Sequence, residues 1–172
     1  MTLLIRPAET AADFAALQTM RDRMATWDMA MTEQAGLDPM DTFNAFYTTG
    51  AEALRAAYGC PGTCILLASL DGQAIGSAGY SPLEQDRAGT TAEVEKFYVA
   101  DEARGKGVGR ALLLDVLARM PATGYRRACL ETVTFMTAAV TLYRAHGFAA
   151  CAPFRPAPPG LDPVTLFMDR AL

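Results

Sequence analysis

The sequence of 172 residues contains little histidine and no concentrated positive charge. His146 is the single histidine and the four cysteines are scattered, so no familiar spacing of zinc ligands is present. The formal net charge is −4, and no run of lysine or arginine offers a surface that would neutralise the phosphates of a nucleic acid. We therefore expect neither a metal site nor a nucleic-acid partner.

Long apolar runs are also absent. The longest candidate, Val108 to Ala118, is interrupted by Gly109, Arg110 and Asp115 and is too short to cross a bilayer. The first residues lack a basic segment before an apolar one and a small-residue cleavage site, so no secretory signal is predicted. We expect a cytoplasmic protein without a membrane partner, whose cysteines stay as free thiols.

The chain is instead rich in apolar side chains. Hydrophobic residues make up 51% of it and charged residues 20%, so a sizeable core is expected rather than general disorder. A length of 172 residues suits one compact domain, and no repeat, linker or low-complexity segment divides it. We predict a single domain over residues 1–172.

The first third of the chain is predicted to be mainly helical. A short strand at Leu3 to Ile5 precedes a capping box from Thr10 to Asp13, and apolar residues at helical spacing follow. A second helical region is predicted from Met40 to Tyr58, with an interruption near residues 48–50. This third is expected to pack against a sheet formed by the rest of the chain.

From residue 64 the pattern is typical of strands. Cys64 to Leu70 and Gln73 to Tyr80 are predicted to form a hairpin around Asp71-Gly72. The later predictions are a strand at 92–99, a helix at 108–120, a strand at 127–132, a helix capped by Thr134 or Thr137 and ended by Gly147, and strands at 148–153 and 163–169 around a proline-rich loop. This order predicts an α/β fold with a mixed sheet and helices on both faces.

The most informative segment is a glycine turn at residues 104–110, between a predicted strand and a predicted helix. Alternate glycines leave room for a close approach to the backbone, and the helix adds the positive end of its dipole. Arginine and lysine side chains bring mobile positive charge. The predicted pyrophosphate-binding residues are Arg104, Gly105, Lys106, Gly107, Val108, Gly109 and Arg110.

Three kinds of phosphate-binding loop have glycine patterns related to that of this turn. A Walker loop needs Ser or Thr after its lysine, and Lys106-Gly107 does not fit. A dinucleotide fingerprint places its third glycine one position later and follows a parallel strand. The pattern Arg-x-x-Gly-x-Gly after a strand ending in Phe97-Tyr98-Val99 resembles the pyrophosphate loop of the GNAT superfamily of acyl-CoA N-acyltransferases. A surface turn that is glycine-rich for geometry alone is the plain alternative.

The resemblance covers most of the chain, since residues 64–169 follow the family core in order. Ala92 to Val99 resembles the family's fourth strand, Glu131-Thr132 its fifth, and Ala139 to Phe148 its last helix. Leu166 to Asp169 is similar to the closing strand of small bacterial members. The resemblance implies a GNAT-like, mostly antiparallel sheet in which the parallel strands 4 and 5 are splayed apart, and acetyl-CoA as co-substrate.

The resemblance also implies roles for individual residues. The backbones of Phe97, Tyr98 and Val99 would pair with the pantetheine arm, and the Val99 amide would stabilise the oxyanion as an amine of a small-molecule acceptor attacks the thioester directly. Glu93 is the first candidate for the base, and Tyr143 for the proton donor to the departing thiolate.

Several assignments stay open. Glu95 or Glu131 is the other candidate base. Met136 stands where many family members carry an asparagine, so the cofactor contact there is either missing or made by Thr134 or Thr137. Further candidates are of two kinds. Trp27 with Met24, Met29 and Met31 forms core or an acceptor-pocket wall, and Asp38 and Asp41 are loop residues or recognise a cationic acceptor. His146 is assigned no catalytic role.

The rival functions are a catalytically silent acyl-CoA sensor or scaffold of the same fold and, less favoured, a nucleotide-binding protein that uses the same glycine turn. A homodimer through apolar strand edges near residues 163–168 is a further expectation.

Overall fold

The computed structural model describes residues 2–172. Its helices and strands are β1 (Leu3–Pro7), α1 (Ala11–Gln34), α2 (Pro39–Phe46), α3 (Ala51–Ala57), β2 (Cys64–Leu70), β3 (Gln73–Pro82), β4 (Thr91–Val99), α4 (Val108–Arg119), β5 (Arg127–Val133), α5 (Thr137–Ala145), β6 (Ala149–Ala150) and β7 (Thr165–Ala171). Short 3₁₀ turns at Asp101–Ala103 and Met120–Thr123 flank α4.

The strands form one seven-stranded sheet in the order β1-β2-β3-β4-β5-β7-β6. Only β4 and β5 are parallel among these neighbours, and all other adjacent pairs are antiparallel. The pairing of β4 with β5 covers only Thr91–Glu93 against Arg127–Cys129, and beyond this point the two strands diverge. The predicted mixed sheet with splayed parallel strands is therefore confirmed.

A β-bulge accompanies this divergence. Lys96 has a left-handed backbone (φ 54°), and the register between β3 and β4 shifts between Ser77 and Gly79. The Ser77 hydroxyl donates a hydrogen bond of 2.8 Å to the Lys96 carbonyl. Because a bulge bends its strand, it turns the second half of β4 at the place where β5 no longer pairs with it.

Helices cover both faces of the sheet. On one face α4 buries Leu112, Leu113 and Val116, and a side chain at Gly76 of β3 would contact Leu112. On the other face α1 to α3 pack, and a side chain at Gly79 of β3 would meet the Tyr58 ring. The sheet therefore lies between two helical layers, as the pattern predicted.

The first helix begins at the predicted capping box. The Asp13 amide donates to the Thr10 hydroxyl at 3.2 Å, and the Thr10 amide donates to the Asp13 carboxylate at 3.0 Å. Arg6 also binds this carboxylate, with Nη2 2.6 Å from Oδ1, and its hydrogen bond is the main reason why the pKa of Asp13 lies well below its usual value. The carboxylate thus attaches the start of α1 to the end of β1.

The second predicted helical region is two helices, broken at residues 47–50. Arg21 of α1 is only 5% exposed, and its guanidinium donates to the carbonyls of Phe46 at 2.7 Å and Thr49 at 2.6 Å. These carbonyls have no helical partner at the break, so the buried arginine satisfies them.

Three local predictions need correction. The predicted strand at 148–153 is only Ala149–Ala150, since prolines follow that cannot donate to a ladder. Its partner runs over Thr165–Ala171 rather than 163–169. Neither Thr134 nor Thr137 caps α5, because the residue at the cap position is Met136, without a side-chain cap hydrogen bond.

The strand edge expected near residues 163–168 is partly occupied. β7 lies between β5 and β6, and Ala150 pairs with Met168 and Ala149 with Asp169. The Cys151 amide adds a hydrogen bond to the Phe167 carbonyl at 3.0 Å. The expected dimer stays a prediction, and this edge offers it little free backbone.

Candidate active site

A cleft of about 450 Å³ opens where β4 and β5 diverge. Four parts of the chain line it: α1, the end of β4, the glycine turn with the start of α4, and the segment from the end of β5 into α5. The lining residues are Met24, Trp27, Phe97, Tyr98, Val99, Ala103, Arg104, Gly105, Gly107, Val108, Gly109, Arg110, Phe135, Met136, Thr137, Ala138, Ala139, Leu142 and Tyr143.

The glycine turn forms one end of the cleft. Gly105 and Gly107 have left-handed backbones, with φ of 73° and 81°, which residues with a Cβ adopt only at a cost. Gly107 is the N-cap of α4 and supplies no side-chain cap, so the first amides of this helix stay available. At Gly109 a Cβ would lie 3.5 Å from both Leu142 and Val99, so this glycine packs α4 closely against the cleft. The end suits an anionic group such as a pyrophosphate.

Nine of the ten residues predicted from sequence to bind the cofactor line this cleft, and Lys106 is exposed outside the lining. Arg104 is held at the rim, where its guanidinium is 2.8 Å from Asp101 and 5.7 Å from the centre of the Trp27 ring. Trp27 and Met24 both line the cleft, and Met24 also packs against the hydrophobic core. Arg110 lies further along α4 and is exposed.

The opposite wall is the start of α5. Met136 and Thr137 line the cleft there, whereas Thr134 does not, so Thr137 is the threonine available to a ligand in place of the expected asparagine. The absence of a side-chain cap at Met136 leaves the first amides of α5 free as well.

Tyr143 of α5 also lines the cleft, and it is only 5% exposed. Its ring packs edge-on to Phe97 of β4, with ring centres 5.7 Å apart, and against Phe148 at 5.8 Å. Burial raises the pKa of the Tyr143 phenol well above its usual value, so this group keeps its proton and can donate it.

Glu93 belongs to a group of charged side chains at the point where β4 and β5 separate, which we call the carboxylate cluster: Glu93, Glu131 and Arg155. Arg155 donates to both oxygens of Glu93, with Nη1 at 2.6 Å from Oε2 and Nη2 at 2.5 Å from Oε1. It also binds Glu131 Oε2, with Nε at 2.9 Å and Nη2 at 2.7 Å. One guanidinium therefore joins both carboxylates.

Arg155 was missed by the sequence analysis. It lies in the proline-rich loop (residues 153–163), and nothing in its neighbourhood along the chain distinguishes it from an exposed loop arginine. Phe154 holds this part of the loop, since its ring lies edge-on to Phe167 of β7 at 4.8 Å and beneath the Arg155 guanidinium at 5.1 Å. Burial alone would lower the pKa of Arg155, but the two carboxylates raise it, so the residue stays charged.

The two glutamates of the carboxylate cluster differ in their free atoms. Both oxygens of Glu93 are bound, whereas Glu131 Oε1 is fully buried and has no hydrogen-bond partner among the described residues. The Glu131 side chain is 4% exposed. Burial raises the pKa of Glu131, against the opposing effect of Arg155.

Glu95 lies apart from the carboxylate cluster. Its carboxylate accepts from the hydroxyls of Tyr58 at 2.8 Å and Ser81 at 2.9 Å, and Lys96 lies 3.0 Å away. Burial alone would raise the pKa of Glu95, but the Lys96 charge and these hydrogen bonds lower it. Glu95 thus has the partners of a structural carboxylate that attaches α3 to the sheet.

The acidic residues considered for acceptor recognition have structural contacts. Asp38 caps α2 through a hydrogen bond from the Met40 amide at 2.9 Å. Asp41 lies against the proline-rich loop, where a Cβ at Gly160 would come within 1.9 Å of its carboxylate. Next to Trp27, Asp28 is buried and accepts a hydrogen bond from the Tyr47 hydroxyl. Burial raises the pKa of Asp28 to about 6.

Within residues 2–172, no helix has the length and apolar character needed to cross a membrane. The same part of the chain contains no group of three or more histidine, cysteine or acidic side chains placed to hold a metal ion. All four cysteines are free thiols, and Cys129 is buried.

The one parallel pair of strands in this sheet is splayed apart, and a glycine turn leads into a helix beside the gap. These features define the acyl-CoA N-acyltransferase class of fold that the sequence resemblance implied. The chain belongs to the acetyltransferase (GNAT) family, whose model matches residues 22–148. This match confirms the resemblance seen in the sequence.

Curated relatives with acetyltransferase names agree with this family. The chain is 38% identical over 87 residues to an IAA acetyltransferase of Azospirillum brasilense, covering 51% of this chain and 56% of the relative. It is 30% identical over 97 residues to the uncharacterised N-acetyltransferase YjgM of Escherichia coli, covering 56% of this chain and 58% of the relative. The chain thus spans just over half the length of these curated relatives.

Among solved structures, yncA of Salmonella typhimurium, solved with its cofactor acetyl-CoA, superposes with a TM-score of 0.76 at 20% identity. The match covers 99% of this chain and 94% of that one. At this identity the likeness establishes the fold alone.

Proposed function

We propose that this protein is an N-acetyltransferase that transfers the acetyl group of acetyl-CoA to the amine of a small-molecule acceptor. The observation that carries the proposal is the cleft between β4 and β5. It has the glycine turn at one end and Tyr143 in its wall, and the carboxylate cluster lies where β4 and β5 separate, outside the residues that line the cleft. Family membership supports acyl transfer from an acyl-CoA, and the acetyltransferase names of the relatives favour the acetyl group.

The glycine turn is proposed to hold the pyrophosphate of CoA. The free first amides of α4 and the charge of Arg104 and Arg110 suit its negative charge. The pantetheine arm would lie beside Phe97 to Val99, because that edge of β4 has lost its pairing with β5 and its backbone can bind an extended amide chain.

The reaction proposed is direct attack of the acceptor amine on the thioester. The amine must first lose a proton, for which the glutamates of the carboxylate cluster are the candidate acceptors, Glu93 having been the first predicted from sequence. The Val99 amide would stabilise the oxyanion, and the protonated Tyr143 would donate to the departing thiolate. The four free cysteines suit the reducing cytoplasm that we propose for the chain.

The charge of the site favours a cationic acceptor. Two carboxylates face one guanidinium in the carboxylate cluster, and no second cation lies within hydrogen-bonding distance of them in the described chain. An ammonium group would therefore be attracted, whereas an anionic group would be repelled.

Calorimetric titration with acetyl-CoA, CoA, ATP and NAD tests the cofactor assignment. Micromolar binding of acetyl-CoA and CoA, without ATP or NAD, is expected. Thiol release from acetyl-CoA in the presence of a panel of primary amines, with tyramine and spermidine among them, then tests transfer. A folded protein that binds neither form of CoA would contradict the proposal, and tighter binding of ATP would favour a nucleotide-binding function.

The second candidate is an acyl-CoA sensor or scaffold that does not turn over. The bidentate contact of Arg155 with Glu93 favours it, because a carboxylate that accepts from a guanidinium at both oxygens is a weaker proton acceptor than a free one. Tight acetyl-CoA binding together with no thiol release in the presence of any amine would support this candidate.

A further inference from the structure

The carboxylate cluster contains two glutamates, and only one of them has an oxygen that receives no hydrogen bond within the described residues. Arg155 donates to each oxygen of Glu93 within 2.6 Å. Its two contacts with Glu131 fall on the same oxygen, Oε2. Glu131 Oε1 is thus a buried oxygen without any donor in the described chain. Such an atom carries a desolvation penalty until a donor reaches it.

The position of Glu131 on β5 brings this oxygen to the diverging part of the sheet. The last residue of β5 that pairs with β4 is Cys129, and Glu131 follows two positions later, on the same face. Phe135 and Met136, which come next along the chain after β5, line the cleft. Glu131 therefore lies on the strand between the point of separation and the cleft wall.

From this arrangement we propose that Glu131, rather than Glu93, is the catalytic base: its Oε1 accepts a hydrogen bond from the ammonium group of the acceptor and takes its proton, directly or through one water. Glu93 and Arg155 are positioning residues that hold the other oxygen of Glu131. The inference rests on the proposed acetyl transfer and names the residue that starts it.

The step balances in protons and electrons. The ammonium group gives one proton to Glu131 Oε1, and its nitrogen lone pair forms the bond to the thioester carbon while the carbonyl π pair moves to oxygen. When this pair returns, the carbon–sulfur bond breaks and its electrons leave with the CoA thiolate. The thiolate takes the second proton of the nitrogen through Tyr143 or water, and Glu131 later releases its own proton to solvent.

The charges around Glu131 support this role. The groups that face it are Glu93 from β4 and Arg155 from the proline-rich loop. Burial and the negative charge of Glu93 raise the pKa of Glu131, whereas Arg155 opposes the rise. A base whose pKa lies closer to neutrality transfers a proton more effectively than an ordinary exposed glutamate.

The kinetic test compares Glu131→Gln with Glu93→Gln and with Glu84→Gln, an exposed control outside the site. With tyramine or spermidine as acceptor, kcat should fall by about 100-fold or more in Glu131→Gln, with an unchanged Kd for acetyl-CoA. Glu93→Gln should lose less and should shift the acidic limb of the pH profile, because Arg155 then neutralises Glu131 more strongly. Glu131→Asp, which keeps a carboxylate, should restore part of kcat.

A second readout does not need an acceptor. Carbon-13 NMR titration of glutamate carboxyl groups, assigned with the two glutamine variants, should give Glu131 a pKa above that of ordinary glutamates. An ordinary or lowered pKa for Glu131, or a larger loss of kcat in Glu93→Gln than in Glu131→Gln, would overturn the inference while leaving acetyl transfer intact. A wild-type chain that fails to bind acetyl-CoA would overturn the proposed function and this inference with it.

Discussion

At one end of the cleft the glycine turn gathers its amides within seven consecutive residues, whereas the carboxylate cluster draws its side chains from three separate segments. The turn depends on backbone geometry, and its charged residues are exposed at the rim. The cluster depends on side-chain charges that are largely buried. Binding at the glycine turn is therefore expected to tolerate changes of side chain, whereas the carboxylate cluster is expected to respond strongly to loss of a single charge.

The largest effect is expected for Arg155→Met. Two largely buried carboxylates would lose their counter-ion, and the free energy of unfolding at pH 7.5 should fall by about 3 kcal/mol. Burial already raises the pKa of Glu131 and Arg155 opposes that rise, so without Arg155 the pKa of Glu131 in the folded state would lie further above its unfolded value. The loss of stability should therefore shrink as the pH falls and Glu131 takes up a proton. Calorimetric unfolding at pH 7.5 and pH 5 measures this difference.

The control for this change is the triple variant Arg155→Met with Glu93→Gln and Glu131→Gln. It removes the charges together with their counter-ion, so most of the lost stability should return. A triple variant as unstable as the single one would mean that Arg155 acts through packing on Phe154 rather than through charge.

The next effect is expected for Tyr143→Phe, which keeps the ring contacts with Phe97 and Phe148. It should lower kcat by about 100-fold, because the departing thiolate loses its proton donor. The Kd for acetyl-CoA should not change. Tyr80→Phe, at a buried tyrosine outside the cleft, is the matched control and should keep full activity. Equal kcat values for the two variants would remove Tyr143 from the mechanism.

Asp28 can be compared with Glu131 of the carboxylate cluster. Both carboxylates are buried, but within residues 2–172 Asp28 has no bound arginine of the kind that Glu131 has. Its pKa of about 6 lies above that of an unfolded aspartate, so its contribution to stability is present at low pH and is lost as the pH rises through about 6. The free energy of unfolding of Asp28→Asn, relative to wild type, should therefore rise by about 2 kcal/mol between pH 4 and pH 7. Urea unfolding across this range is the measurement, and a constant difference would contradict the prediction.

The smallest effect is expected at the glycine turn. Gly107→Ala places a Cβ at φ 81°, which should lower stability by about 1 kcal/mol and weaken acetyl-CoA binding about tenfold. Gly36→Ala is matched to it, since Gly36 has φ 78° and open space around the position of a Cβ, far from the cleft. This control should lose similar stability and keep its Kd. Equal Kd values in both variants would mean that the turn does not hold the cofactor.

The accuracy of the sequence-based prediction in each region depends on how far apart along the chain the interacting residues lie. The glycine turn, the capping box at Thr10 and the hairpin at Asp71-Gly72 depend on neighbours within a few residues, and the structure has all three. The splaying of β4 from β5 came from the family resemblance, since no local pattern reports where a parallel pairing ends.

The features that the sequence analysis missed depend on contacts between residues far apart along the chain. The contact between Arg155 and Glu93 joins residues separated by 62 positions, and periodicity contains no information about such a pair. The interruption near residues 48–50 was predicted, but not that Arg21, which lies 25 positions before Phe46, binds the carbonyl groups at this break. The choice of Glu93 as first candidate base followed its place in the family's strand pattern, which says nothing about the partner that occupies both of its oxygens.

The contact of Gly160 with Asp41 gives the proline-rich loop a mechanical connection to α2. No room for even a methyl group remains there, so the helix cannot approach the loop further without moving it. At the other end of the loop, the Phe154 ring packs against Phe167, and Arg155 is the next residue along the chain. A displacement of α2 towards the loop would therefore press on the segment that carries Arg155, so the position of this helix is linked to the charge balance of the carboxylate cluster.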